Sequence, residues 1–219
     1  MTPNAQSLDD LRAQLLPAIL DEVPFEGWTT KGLAHAARSC GLTEVDLLRA
    51  FPGGSVDVIA YWNACLDTDA AAAITAAVGL KVREKITLGV RTRLNLAVSH
   101  KEAVRRGLGL LALPGHARLG AHLLSNSMSA LWYAAGDRAT DFNYYTKRGL
   151  LAGVYLATLL YWLDDASDDH AATWAFLDKR IADAMRLPTL VAPLREGVKR
   201  AVQGIIPPFN RPRPSPGSA

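Results

Sequence analysis

The side chains best suited to specific chemistry in this 219-residue sequence gather between Trp132 and Arg148, Trp-Tyr-Ala-Ala-Gly-Asp-Arg-Ala-Thr-Asp-Phe-Asn-Tyr-Tyr-Thr-Lys-Arg. Phenols, an indole, two aspartates and three bases in one short stretch suit recognition by hydrogen bonding, ion pairing and aromatic contact. Ten of the sixteen aromatic residues fall between Trp132 and Phe176, so this chemistry is concentrated in one part of the chain.

No set of residues has the spacing of an enzyme site. The histidines, His35, His100, His116, His122 and His170, are scattered and form no HExxH pair. There is no GxSxG, no phosphate-binding glycine loop and no ExxH pair for a di-iron centre. Asp164-Asp165 and Asp168-Asp169 bracket Ala-Ser between two helical segments, and Asp168 or Asp169 is expected to cap the helix that carries Trp174. His122 reads as a core histidine. Cys40 and Cys65 form no CxxC, which argues against a disulfide scaffold or a zinc site and for a reducing compartment. The expectation is a binding or interaction protein, not an enzyme, with no catalytic residue, no metal and no cofactor.

These residues must be positioned by helices. Leu11, Leu15 or Leu16, Ile19 and Val23 recur at helical spacing and predict a first helix over about 8–23, with Pro17 a potential kink. Thr29 or Thr30 opens a second helix to Ser39, closed by Gly41. Thr43 opens a third, Glu44 to Phe51, stopped by Pro52-Gly53-Gly54. A fourth begins near Ser55. Others follow at about 81–98, 100–112, 117–135 and 142–164, the last with Asp141 as N-cap, and one more starts at Asp169. No segment alternates with period two, so the predicted class is all-α. Gly149–Leu163 is apolar on every side, as in a helix that is buried centrally or lines an apolar cavity. Gly149 and Gly153, four apart, would admit a second helix closely, either within the chain or across a dimer. Fifteen helical residues reach only about 22 Å, short of a ~30 Å hydrocarbon core.

Beyond Pro188, Leu190, Val191, Leu194, Val198, Val202 and Ile205 form one stripe, with Arg195, Lys199 and Arg200 off it. That is a basic amphipathic helix, which either docks on the core or lies on a membrane surface. Pro207 to Ala219 is proline-rich and is expected to be disordered. The expected organisation is an N-terminal unit over 1–62, a helical body over 63–187, the amphipathic helix over 188–206 and a tail over 207–219.

The first three helices resemble the N-terminal helix-turn-helix of TetR-type regulators, with the turn at Gly41 and small residues at Ala36 and Ala37. Charge argues against nucleic acid as a partner. From Thr29 to Trp62 the bases Lys31, Arg38 and Arg49 are matched by Glu44, Asp46 and Asp57, whereas duplex binding needs an excess of bases against phosphate. The net charge of the whole chain is only +3. A ligand-responsive regulator is therefore the runner-up reading, and a helical adaptor without a ligand a third.

The stretch from Trp132 to Arg148, continued by Gly149-Leu-Leu-Ala-Gly-Val-Tyr155 and by Thr173-Trp-Ala-Phe-Leu-Asp178 through Met185, resembles the COQ nine family, accessory proteins of ubiquinone biosynthesis. Asp141-Phe-Asn-Tyr-Tyr-Thr-Lys-Arg148, preceded by Ala135-Gly-Asp, is its most specific motif here. The resemblance implies a TetR-like fold, a homodimer, and a lipid-binding protein that reaches the membrane by its C-terminal amphipathic helix. Such a protein presents an isoprenoid quinone intermediate to a ring hydroxylase, and phospholipid is the alternative ligand. It implies that Asp141, Tyr144 and Tyr145 face the hydroxylase and that Arg148 meets a lipid head group. Leu123, Leu131, Trp132, Leu151, Tyr155, Trp174, Leu177 and Ile181 are the candidate lipid-lining residues. Leu190, Val191, Leu194, Arg195, Val198, Lys199, Val202 and Ile205 are the candidate membrane residues. Of the two adjacent tyrosines, Tyr144 is expected outward and Tyr145 inward, on a face shared with Gly149. The plainer alternative for the motif is Asp141 as N-cap, Phe142 in the core and Arg148 paired with Asp137 or Asp141. The absence of a transit peptide before the first helix suggests a cytoplasmic protein, peripheral at the bacterial inner membrane.

Overall fold

The computed structural model describes residues 7–137 and 142–184, with 142–144 described by backbone alone. Among the described residues every regular element is helical: α1 (Leu8–Glu26), α2 (Thr30–Ser39), α3 (Glu44–Ala50), α4 (Ser55–Ala76), α5 (Val82–Leu96), α6 (Lys101–Ala112), α7 (Ala117–Ala134) and α8 (Phe142–Asp164). A last helix, α9, covers 171–184. Short 3-10 turns, Val98–His100 and Asp168–His170, precede α6 and α9.

Local chemistry sets the bounds. The Ser7 hydroxyl accepts from the Asp10 amide to open α1, which runs through Pro17 and Pro24 and stops at Gly27. The Thr29 hydroxyl accepts from the Gly32 amide to open α2. Thr43 and Asp46 bond each other's backbone in a capping box at α3, and the two Thr43 hydrogen bonds hold the Asp46 carboxyl below its usual range. The turn before α3 needs a left-handed residue, supplied by Gly41 at φ +72°.

Neither Asp168 nor Asp169 caps α9. Asp165 does so: its carboxylate accepts from the Thr173 amide at 2.9 Å and the Ser167 amide at 2.8 Å. Hydrogen bonds from the Thr173 and Ser167 side chains hold its carboxyl well below the ordinary range. Asp169 contributes its backbone oxygen, to Trp174 Nε1 at 2.8 Å. A side chain six residues ahead of a helix cannot be picked by N-cap spacing, because the intervening 3-10 turn folds it back.

α1 buries Leu11, Leu15, Ile19, Leu20 and Val23 against Leu33, Ala36 and Ala37 of α2 and Leu47 and Ala50 of α3. α4 continues unbroken from this N-terminal group into the body, where it packs on α5 and α7. The approach is close at Gly89, where a Cβ would lie 2.5 Å from Ile74 Cδ1 and 2.9 Å from Leu131 Cδ2. Arg106 ties α6 back to α1 by donating to the Pro24 carbonyl at 2.9 Å. Lys101 donates to the carbonyls of Trp162 and Asp165 at 2.8 and 3.1 Å, and Arg105 to that of Leu163 at 3.0 Å. Two bases of α6 thus satisfy the open carbonyl end of α8.

α8 is not buried all round. Leu151, Val154, Tyr155, Leu159, Trp162 and Leu163 face inward, while Tyr145, Gly149, Gly153, Leu156 and Leu160 form an exposed stripe. A Cβ on Gly149 or Gly153 would meet nothing within 4 Å, so neither glycine serves a helix contact among the described residues. Uniform apolarity here reflects two different faces. The chain divides into compact units Met1–Ile181 and Ala182–Ala219. The amphipathic segment over 188–206 and the tail over 207–219 lie outside the described residues.

Candidate functional site

α4 to α8 line a partly open cavity of about 470 Å³. Ile59, Trp62 and Leu66 come from α4, Leu94 from α5, Val104 and Leu108 from α6, Leu123 and Leu124 from α7, and Leu156 and Leu159 from α8, with Trp28 from the α1–α2 connection. The amphipathic faces of five helices leave this space because small residues, Ala97, Ala103, Gly107 and Gly120, stand where larger ones would close it. Trp28 is fixed by donating its indole N–H to the Ala103 carbonyl at 3.1 Å. The volume lies in the range that takes most of a drug-sized ligand.

Four polar residues interrupt the apolar wall: Asn63, Arg93, Ser127 and Tyr155. Arg93 is 4% exposed and makes an ion pair with Asp67. Its Nε donates to the Tyr155 hydroxyl at 2.9 Å, one Nη1 hydrogen goes to Asp67, another to the Asn63 carbonyl at 3.4 Å, and Nη2 donates to Asn63 Oδ1. Ser127 donates to Asp67 at 2.9 Å, and Asn63 Nδ2 donates to Asp67 and to Ser127, each at 3.1 Å. Burial works against charge on Arg93, but Tyr155 and Asp67 outweigh it and raise its pKa. Burial pushes the Asp67 carboxyl up, against the attraction of Arg93 and the Ser127 hydrogen bond. Arg93 stays charged, because a guanidinium does not lose its proton in proteins.

Of the candidate lining residues, Leu123 and Tyr155 stand in this wall. Leu131, Leu151, Trp174, Leu177 and Ile181 are buried in core packing, and Trp132 is half-buried at the α7–α8 corner. Asn63, Asp67, Arg93 and Ser127 were not expected. Their signal is a polar residue on an otherwise apolar face: Asn63 and Asp67 sit four apart on α4 among Ile59, Trp62, Leu66 and Ala70.

The aromatic corner is a separate feature. Asp137, just past α7, takes Lys147 at 2.9 Å and Arg148 at 3.5 Å, both from α8. Lys147 lies over the Trp132 ring and Arg148 over that of Tyr133, and Arg148 Nε donates to the Ser129 hydroxyl at 3.1 Å. Arg148 is buried, so the structure brings it to Asp137 and not into the cavity wall. Tyr145 is the reverse of the expectation: it is 72% exposed, because its side of α8 faces away from α7. Asp141 and the Tyr144 side chain lie outside the described residues. Among the described residues no cluster of His, Cys, Asp or Glu could hold a metal, and no helix is long and apolar enough to cross a membrane.

An all-helical chain with a three-helix head and a cavity-bearing body has the TetR-like fold. It is similar to the crystal structure of the TetR transcriptional regulator from Nitrosomonas europaea, with a TM-score of 0.66 over 80% of this chain and 98% of that one. At 18% identity that likeness concerns the fold alone. A family model described as COQ9 matches residues 117–188. The chain is 31% identical over 209 residues to the mitochondrial ubiquinone biosynthesis protein COQ9 of Rattus norvegicus, covering 92% of this chain and 67% of that protein. Against the human protein of the same name it is 30% identical, covering 92% of this chain and 66% of that one. The chain belongs to the COQ9 family of ubiquinone biosynthesis proteins, and spans about two thirds of the length of these relatives. The relatives are named as mitochondrial, which overturns the expected place at the bacterial inner membrane.

Proposed function

We propose that, within ubiquinone biosynthesis, the protein is a non-catalytic carrier that takes an isoprenoid quinone intermediate into the α4–α8 cavity and presents it to a ring hydroxylase. The observation that carries this reading is the cavity, whose wall is apolar apart from one polar end. An amphiphile with a long apolar tail and a small oxygenated head matches that division. The apolar stripe of Leu190, Val191, Leu194, Val198, Val202 and Ile205, with Arg195 and Lys199 beside it, suits a membrane surface from which such a lipid would be drawn. Mass spectrometry of lipid extracted from the purified protein tests the reading. A prenylated quinone precursor is expected, and preparations that are repeatedly empty would leave only a structural adaptor.

The regulator reading has less support. Lys31, Arg38 and Arg49 are each paired with a carboxylate, Glu26, Glu44 and Asp46. α3 turns Val45 and Leu48 to solvent, 66% and 62% exposed, where a DNA reader would place bases.

Tyr145 is the described member of the hydroxylase patch, and Asp141 and Tyr144 complete the proposal from sequence. Tyr145→Ala is expected to leave the melting temperature nearly unchanged and to weaken capture of the hydroxylase about thirtyfold, as loss of an interface anchor does. Normal capture by the folded variant would remove this corner from the partner surface.

The exposed positions Gly149, Gly153 and Leu160 are proposed as the homodimer face, where the glycines admit the partner helix closely; Leu156 between them also lines the cavity. Leu160→Arg is expected to convert a dimer to a monomer in light scattering. An unchanged mass would move the interface elsewhere.

A further inference from the structure

The polar end of the cavity says what kind of head group the cavity receives, an inference that rests on the carrier reading. Arg93 has five N–H donors. One goes to Tyr155, two from Nη1 to Asp67 and the Asn63 carbonyl, and one from Nη2 to Asn63 Oδ1. Asp67 receives Arg93 on one oxygen and Asn63 and Ser127 on the other. Ser127 accepts from Asn63, and its own proton is shared between Asp67 and the Leu123 carbonyl. The cluster is closed on itself and its charges cancel.

One donor is left. The Tyr155 hydroxyl accepts from Arg93 Nε, and its own proton has no acceptor among the described residues, although Tyr155 is 7% exposed and stands in the cavity wall. Accepting from a guanidinium strengthens a hydroxyl as a donor. A spare Nη2 hydrogen remains on Arg93, but the charge behind it is already balanced by Asp67. An anionic head would meet no net positive charge and would lose its water, which costs more than one hydrogen bond returns. The indoles of Trp28 and Trp62 in the same wall offer flat apolar surfaces to a ring.

We propose that the cavity selects an uncharged ring carbonyl, received as a hydrogen-bond acceptor by the Tyr155 hydroxyl at the end of the cavity formed by Asn63, Arg93 and Ser127. Quinones fit this site; phosphate and carboxylate heads do not.

Calorimetry with three probes of equal tail length tests this: decylbenzoquinone, decylbenzene and decyl phosphate. The full chain is expected to bind the quinone about five- to tenfold more tightly than decylbenzene, the value of one neutral hydrogen bond. Decyl phosphate is expected to bind more weakly than the quinone. Tyr155→Phe, with its fold checked by thermal melting, is expected to bind quinone and decylbenzene equally. A quinone preference that survives in Tyr155→Phe, or decyl phosphate binding as tightly as quinone, overturns the proposal. Should Tyr155→Phe fail to fold, the ranking of the three probes on the unaltered protein decides alone. Equal binding of quinone and decylbenzene to the unaltered protein overturns the head-group assignment and keeps the cavity as a lipid site. Failure of all three probes to bind removes the cavity reading and this proposal together.

Discussion

Arg93→Leu is expected to lower stability by about 3–5 kcal/mol, because it leaves the Asp67 carboxylate buried without its partner. In a chain of this length that corresponds to a melting temperature lower by roughly 10 °C. Three helices lose their common point, since Arg93 on α5 joins Asn63 and Asp67 on α4 to Tyr155 on α8. The companion variant gives the argument its edge. Arg93→Leu combined with Asp67→Leu removes both charges, and replacing a buried ion pair by apolar residues is often close to neutral. The double variant is therefore expected to melt above the single one, by most of what the single one lost. Melting followed by circular dichroism reads both. A single variant that melts with the unaltered protein, or a double variant worse than the single, would show that the pair is not what makes the site costly to break.

The second large effect has the opposite relation to stability. Val104 and Leu123 face the cavity from α6 and α7. Replacing both with Trp fills space that is empty of protein atoms, and filling an apolar void adds contacts without displacing packed side chains. The double variant is expected to melt at or above the temperature of the unaltered protein and, on the carrier reading, to hold no more than about a tenth of the lipid that mass spectrometry finds on the unaltered protein. Lipid retained at the usual amount by the filled variant would place the carrier site elsewhere, for instance along the exposed side of α8.

Much of the fold is legible in the sequence because its helix ends are marked by short-range chemistry. Ser7, Thr29 and Thr43 cap at the spacing hydroxyls reach, and Gly27, Gly41 and Gly54 take the left-handed φ that ends or begins a helix. α5, α6, α7 and α8 lie within two residues of their periodic segments, although none of them opens on a hydroxyl cap among the described residues. The α9 cap escapes such reading, since Asp165 reaches Thr173 only through a turn of three-dimensional shape. The site is harder still. Apolar periodicity finds the faces that meet, and the candidates Leu123 and Tyr155 come with the family resemblance, but neither says that Ala97, Ala103, Gly107 and Gly120 leave a void between the helices. Nor does it pair Arg93 with Asp67, 26 residues earlier in the chain. The aromatic corner drew attention by composition, yet Asp137, Lys147 and Arg148 there hold α7 to α8, and the cavity's polar end lies among residues of unremarkable type.

The two faces of α8 set its tolerance to change. Its inner side supplies Tyr155 and Leu159 to the cavity wall, its outer side is an unbroken apolar stripe from Tyr145 to Leu160, and its end is held by Lys101 and Arg105. A surface helix ordinarily has a solvent side on which sequence can drift without penalty. α8 has none among its described positions if both faces are in use, so a saturation library scored for function would show its deepest depletion along this helix.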